Sequence, residues 1–165
     1  TAAWSADVAA FIRRERDVID WVRPGQDARW SSTNVRRVAV DGLELTLRRS
    51  FSAAGQVAVN AAITSVDPEG LACASKYGLD FARQSAGGSG WFVPVAGLTV
   101  APRVLFTRRD DGRRYWVADL RLARAIGPMT AFVEATNLSG VRYQAVRGID
   151  MPGRWISAGV RVPVF

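Results

Sequence analysis

The chain has 165 residues, of which 48% are hydrophobic and 22% are charged, and this composition excludes disorder and predicts one folded domain. Its 22 lysines and arginines, among which Lys76 is the single lysine, outnumber 15 acidic residues and give a net charge of +7. The absence of histidine and the presence of one cysteine exclude a Ser-His-Asp triad, an imidazole metal site and an internal disulfide.

Extended segments rich in Val, Leu, Thr and aromatic residues alternate with turn residues, which predicts an all-β antiparallel meander of about eight strands. No apolar run approaches the ~20 residues that a membrane-spanning helix requires. We place the strands at 4–22, 29–48, 56–66, 76–86, 91–108, 113–125, 129–138 and 154–165. Glycine and proline mark the connections, and the sequence Gly-Gly-Ser-Gly at 87–90 predicts one of the turns.

The first segment has a second interpretation. Apolar residues at Trp4, Val8, Phe11 and Ile12 also fit a helical stripe, with Ser5 as an N-cap. The extended pattern of the remaining chain favours a strand, because an antiparallel barrel needs every segment extended.

Most segments alternate between apolar and polar residues, which predicts strands with one apolar face and one polar face. In the last segment, for example, Ile156 and Val160 share a face opposite Ser157. In the second segment the alternation changes phase after Val40, which predicts a β-bulge at Asp41-Gly42.

Several short motifs follow one another along the chain. They are Phe11, 13–22 (Arg-Arg-Glu-Arg-Asp-Val-Ile-Asp-Trp-Val), Trp30, 33–35 (Thr-Asn-Val), 42–45 (Gly-Leu-Glu-Leu), Asn137-Leu138, Tyr143, 152–154 (Pro-Gly-Arg) and Phe165. In this order, and over essentially the whole chain, they resemble the C-terminal part of TonB-dependent outer-membrane receptors such as cobalamin and siderophore transporters.

The resemblance implies a 22-stranded transmembrane barrel in the bacterial outer membrane, plugged by an N-terminal domain. Such a receptor imports a scarce nutrient, for example an iron-siderophore, haem or cobalamin. Residues 1–165 are expected to form the C-terminal part of the barrel, without the plug and the earlier strands. The expected partners are those missing parts, TonB acting through the plug, outer-membrane lipid and the barrel-assembly machinery, for which Phe165 is the expected signal.

With a periplasmic C-terminus, the connections near 23–28, 67–75, 109–112 and 139–153 are expected outside, and those near 49–55, 87–90 and 126–128 are expected to be periplasmic turns. Aromatic residues are expected to form girdles at the two membrane interfaces. The outer girdle would contain Trp21, Trp30, Tyr115, Trp116, Tyr143 and Trp155, and the inner one Trp91 and Phe92.

Two groups of charged residues are candidate sites. Lumen-facing positions are predicted for Glu44, Asp80, Asp119, Arg121, Glu134 and Arg161, where the side chains would form cross-strand ion pairs or contact the plug and the ligand. Arg108, Arg109, Arg113 and Arg114 flank the tip of a hairpin, where guanidinium groups would bind lipopolysaccharide phosphates. We expect no enzyme activity, no catalytic residue, no metal and no cofactor.

Two alternatives belong to other classes. The chain would be a complete eight-stranded outer-membrane barrel with a structural or adhesive role if the strand near Trp4 pairs with the strand near Phe165. It would be a soluble basic β-barrel that binds nucleic acid or a small ligand if it needs no detergent for extraction. The barrel interpretation predicts no nucleic-acid partner.

Overall fold

The structure, a computed structural model, describes residues 2–25, 27–68, 74–75 and 80–163. These ranges contain strands and one short 3-10 helix, Ser52–Ala54. The strands are β1 Ala2–Arg23, β2 Ser31–Phe51, β3 Gly55–Pro68, β4 Ala74–Ser75, β5 Ala82–Val95, β6 Leu98–Arg109, β7 Arg114–Ile126, β8 Met129–Thr136, β9 Gln144–Val146, β10 Ile149–Asp150 and β11 Trp155–Arg161. The predicted all-β architecture is confirmed.

Nine strands form a single antiparallel sheet in the order β11-β8-β7-β6-β5-β3-β2-β1-β4. Each long strand pairs with the next long strand along the chain, so the predicted up-and-down meander is confirmed. β9 and β10 form a small hairpin of their own. Within the described ranges β11 pairs with β8 alone, and β1 pairs with β2 and β4. The described sheet is therefore open, without the pairing of first and last strands that a complete small barrel requires.

β1 is a strand over its whole length. The strand interpretation of this segment is therefore confirmed, and the helical alternative is wrong. It pairs with β2 in one register, from Ala2 opposite Phe51 to Val22 opposite Ser31. The apolar stripe that suggested a helix arises because the apolar residues change faces within the strand. Ile12 and Ile19 are both about three-quarters exposed, at 75% and 77%, although their positions differ by an odd number of residues.

The change of face in β1 coincides with Asp17, which has a positive φ of 56°. Beyond it, Val18 packs against a small core of Val35, Val38 and Val40. The left-handed conformation, which Asp tolerates better than most residues, turns the following side chains toward that core. The sequence pattern did not predict this feature.

The two ends of the sheet differ. One, here called the turn end, carries Ser52–Ala54 and the tight connections at 96–97 and 127–128. The other, the loop end, carries the connections at 24–30, 110–113 and 137–154. The predicted grouping of connections agrees with this arrangement except at 87–90. Most of the predicted 67–75 connection lies outside the described residues, as do 76–79 of the predicted fourth strand and Phe165.

The predicted turn at 87–90 is wrong, because these residues lie in the middle of β5 and the reversal occurs at 96–97, where Gly97 has φ 76°. The predicted strands 76–86 and 91–108 are replaced by β5 and β6. The glycines serve close packing: a Cβ on Gly90 would lie 2.6 Å from the carbonyl oxygen of Gln56, and one on Gly87 would lie 3.0 Å from Oδ1 of Asn60.

The predicted bulge at Asp41-Gly42 is also wrong, because β2 keeps one register with β1 and one with β3 through these residues. Val38 is 2% exposed and Leu43 is 51% exposed, so the two apolar runs lie on opposite faces of one regular strand. Gly42 lies opposite Phe11, and a Cβ at Gly42 would overlap the Phe11 ring. The glycine therefore makes room for an aromatic ring.

Candidate functional site

The register assigns the side chains of the long strands to two faces. The polar face carries the pairs Arg121 opposite Glu134 and Arg103 opposite Asp119. Their closest charged atoms are 2.8 Å and 4.0 Å apart, respectively. Glu44 and Arg161 lie on the same face by register. The structure thus brings the predicted charged strand residues to one side of the sheet.

Asp80, also predicted to face the lumen, lies just before β5 at the loop end, and its side chain is buried. Its carboxylate is 2.5 Å from the Arg109 guanidinium, and their side chains are 1% and 5% exposed. It also accepts a hydrogen bond from the backbone N–H of Arg147, at 2.6 Å. Arg109 in turn donates to the carbonyl of Ala145, at 2.7 Å. This buried ion pair therefore ties the start of β5 and the end of β6 to the 137–154 loop.

Asn137 fixes the base of the same loop. It is buried and has a positive φ of 49°. Its backbone N–H donates to Asp119, and its side-chain amide donates to the carbonyls of Val141 and Pro152. Its Oδ1 accepts from the N–H of Val141, at 3.1 Å. The Asn137-Leu138 motif thus has a structural role, since it anchors the longest described loop to the polar face.

A cleft of about 490 Å³ opens between the β6–β7 hairpin and this loop. Its lining residues are Arg109, Gly112, Arg113, Arg114, Tyr115, Arg142, Tyr143, Gln144 and Asp150. Two of the four arginines, Arg109 and Arg113, already pair with Asp80 and Asp111. Arg114 and Arg142 have no acidic partner among the described residues, and Gln144 donates to the one carboxylate of the lining, Asp150, at 2.7 Å. The cleft is therefore suited to an anionic ligand, because guanidinium groups form short charge-assisted hydrogen bonds to oxyanions.

Two tyrosines form one wall of the cleft, with the ring centroids of Tyr115 and Tyr143 4.5 Å apart. Burial raises the pKa of Tyr143, and the neighbouring Tyr115 and Asp119 raise it further. The phenol consequently stays protonated at neutral pH and keeps its O–H as a donor. An aromatic wall beside guanidinium groups accommodates the flat, apolar parts of a ligand whose anionic groups the arginines bind.

The acidic residues at the hairpin tip have different environments. Burial raises the pKa of Asp110, although the charge of Arg147 opposes the shift. Burial also acts to raise the pKa of Asp111, but hydrogen bonds from the backbone and side chain of Arg113 outweigh it, and the pKa is lowered. Arg113 also donates to Gln144, at 2.9 Å. These contacts hold the tip of the hairpin against the loop.

The predicted basic cluster divides between the two faces. Arg109 and Arg113 lie on the polar side and pair with Asp80 and Asp111. Arg108 and Arg114 are directly opposite each other on the other face. The division of the cluster follows from the alternation of side chains along a strand, since adjacent residues point to opposite faces. Arg114 nevertheless lines the cleft together with Arg109 and Arg113, whereas Arg108 does not.

No protein-family model and no curated protein matches the sequence. Among solved structures, the chain is similar to the FrpB iron transporter from Neisseria meningitidis (F3-3 variant), with a TM-score of 0.67 and 13% sequence identity. The chain has the fold of part of this transporter. The similarity covers 95% of this chain and 28% of the FrpB chain, so the chain spans little more than a quarter of FrpB.

Sequence reasoning missed several residues of the cleft. Arg142, Gln144 and Asp150 lie in a loop with no periodic pattern, as does Arg147, which contacts Asp80 and Asp110 near the cleft. The contact of Gln144 with Arg113 also joins residues that are distant in sequence. Asp20 and Ser75 were also missed: the hydroxyl of Ser75 donates to the buried carboxylate of Asp20 where β4 meets β1. No short-range pattern reports contacts of this kind.

No helix in the described part of the chain is long and apolar enough to span a membrane. No group of three or more potential metal-ligating side chains was found there either.

Proposed function

We propose that this chain is the C-terminal barrel part of a TonB-dependent outer-membrane transporter that takes up a scarce nutrient. The nutrient would be an anionic iron chelate, with haem and cobalamin as the other candidates. The apolar face of the sheet carries this proposal, and the FrpB-like fold supports it. The plug, the earlier strands, TonB and the barrel-assembly machinery are the partners that the proposal requires.

The apolar face is a band with charged borders. On β6 it runs from Leu98 to Phe106 and ends at Arg108. On β1 it runs from Trp4 to Ile12 and ends at Arg14, which pairs with Asp41. Eight residue steps at ~3.3 Å give about 26 Å along the strand, which is roughly 20 Å of height at the ~40° strand tilt of outer-membrane barrels. This is comparable to the outward apolar band of about 25 Å that is typical of such barrels.

Aromatic residues lie near both borders of this band. Phe106 packs against Trp116 at the loop end, with ring centroids 4.7 Å apart. Trp4 lies at the turn end, where the Arg49 guanidinium is 5.0 Å from its ring centroid. Phe92, opposite Gly55, lies at that end too. Rings at two levels, separated by aliphatic residues, are the arrangement expected of interfacial girdles.

The proposed ligand site is the arginine-lined cleft at the loop end. With the loops outside the cell, the cleft would face the medium and take up an anionic ligand from it. Arg121, Glu134 and the other residues of the polar face would then line the lumen. Their ion pairs avoid unpaired charge beside the pathway.

The membrane placement can be tested with single cysteines on β3, in a Cys73→Ser background. Val59→Cys and Ile63→Cys lie on the apolar face, and Ala58→Cys and Ala62→Cys lie on the polar face. A lipid-sensitive fluorophore attached to each cysteine is expected to report lipid contact at every second residue, a period of two. Quenchers carried on acyl chains should quench only the first pair. Equal quenching of both pairs, or recovery of the protein in the soluble fraction without detergent, would contradict the proposal.

The cleft can be tested with Arg142→Gln. This side chain lines the cleft, and its loss is expected to weaken binding of an anionic ferric chelate such as ferric citrate by about tenfold or more, because one charge-assisted bond contributes ~1.5–3 kcal/mol. Arg29→Gln, an exposed arginine in another loop, is the control. Equilibrium titration measures both. Identical affinities for the two variants would remove the cleft from the proposed function.

A further inference from the structure

Two arginines face each other across β6 and β7 on the apolar side of the sheet. Arg108 and Arg114 are direct register partners, two residues beyond the Phe106 and Trp116 rings on the same face. Like charges directly opposite each other destabilise a pair of strands. An anion placed between the two guanidinium groups would remove this cost, because each can donate two parallel hydrogen bonds to a phosphate.

These two side chains differ from three other arginines at the loop end. Arg109, Arg113 and Arg147 all form ion pairs with acidic residues. Among the described residues, neither Arg108 nor Arg114 has an acidic partner, and both are exposed. The pair is therefore available to an anion from outside the sheet.

A groove of about 490 Å³ lies on the same face, closer to the middle of the band. Gly88 and Gly90 form its floor, and Phe92, Pro102, Val104 and Leu120 are among its walls. Its lining is almost entirely apolar. It crosses β3, β5, β6 and β7, so at ~4.8 Å between strands it is about 14 Å wide.

The spacing of the two features fits one amphipathic molecule. Val104 precedes Arg108 by four residues on the same strand, which places the groove about 13 Å below the arginines. We propose that this surface binds lipid A, with a phosphate between Arg108 and Arg114 and acyl chains in the groove over Gly88. The breadth of the groove favours a lipid with several acyl chains. The inference rests on the proposed membrane placement.

The test uses the protein as its own cells make it, extracted in detergent, stripped of lipid and supplied with purified lipid A. Native mass spectrometry measures the bound lipid. We expect the Arg108→Gln/Arg114→Gln double variant to bind lipid A at least tenfold more weakly. Arg124→Gln is the matched control, because Arg124 lies on the same face of β7 at the turn end. Its lipid A binding should equal that of the unmodified protein.

The groove is tested separately with Gly88→Leu. A Cβ at Gly88 would make only ordinary contact, 3.7 Å from Val104, so the larger side chain would fill the groove without displacing backbone. This variant should also lose lipid A. Unchanged binding in either variant, or equal binding of phosphatidylglycerol by the unmodified protein, would overturn the inference.

Failure of this inference differs from failure of the proposed function. Unchanged lipid A binding together with a period of two in the β3 labelling overturns the lipid site alone. Loss of the period of two in the β3 labelling overturns both the lipid site and the proposed function. Arg108 does not line the ligand cleft, so the single variant Arg108→Gln should also leave ferric chelate binding unchanged.

Discussion

Replacement of Arg109 with alanine is expected to lower the free energy of unfolding by about 3–5 kcal/mol, because it leaves a buried carboxylate without its main partner. The side chains of Arg109 and Asp80 are 5% and 1% exposed, and their charged atoms are 2.5 Å apart. The remaining arginine near Asp80 is Arg147, whose Nε is 3.9 Å away. The variant also loses the hydrogen bond to Ala145, so the 137–154 loop should separate from the sheet.

Reversible denaturant unfolding of the protein in detergent micelles measures this change, and hydrogen exchange of the loop amides reports its release. Arg108→Ala is a matched control, because it also removes an arginine side chain, one residue earlier in β6, where the side chain is exposed on the apolar face. It should change the free energy of unfolding by less than about 0.5 kcal/mol. Equal effects of the two variants would mean that the buried ion pair does not hold the loop.

Replacement of Gly42 with alanine is expected to lower the free energy of unfolding by about 1 kcal/mol, because the Phe11 ring must leave its preferred rotamer. Gly42 lies opposite Phe11, and the added Cβ would overlap the phenyl ring. The ring would have to leave its position over β2. The same arrangement recurs at Gly159, where a Cβ would lie 2.7 Å from Cζ of Phe132.

Gly88→Ala is the control for this substitution, since it also adds one methyl group to a strand glycine but makes only ordinary contact. It should be close to neutral in the same unfolding assay. If steric overlap is the cause, Phe11→Ala should reduce the cost of Gly42→Ala in a double-mutant cycle. Additive effects of Gly42→Ala and Phe11→Ala would contradict this explanation.

The strands and their faces could be predicted because the alternation of apolar and polar residues is a local signal. The errors at Gly42 and at 87–90 share one cause. Glycine allows a turn, but it also allows a ring or a neighbouring strand to approach closely, and only the partner across the sheet distinguishes these uses. The change of face at Asp17 was missed because it requires one unusual backbone conformation.

The candidate cleft was less accessible to sequence reasoning. The arginines near the hairpin tip form a cluster in the sequence. The alternation of side chains along a strand is enough to place Arg108 and Arg109 on opposite faces. The partner of Arg109 is Asp80, which is distant in sequence, and Arg142 comes from a loop without periodicity. Such contacts depend on how the loop folds over the sheet, so no short-range pattern reports them.

The strand order also has a consequence for the way the chain assembles. Because each long strand pairs with its predecessor among the long strands, no pairing of two long strands must wait for a distant segment to arrive. The short pairing of β4 with β1 is the long-range addition to this pattern in the described sheet. Loop-closure entropy is small for such neighbours, and local pairing is associated with faster folding. Hairpins such as β6–β7 and β7–β8 can therefore form first, and the sheet can grow by adding one strand at a time at an edge.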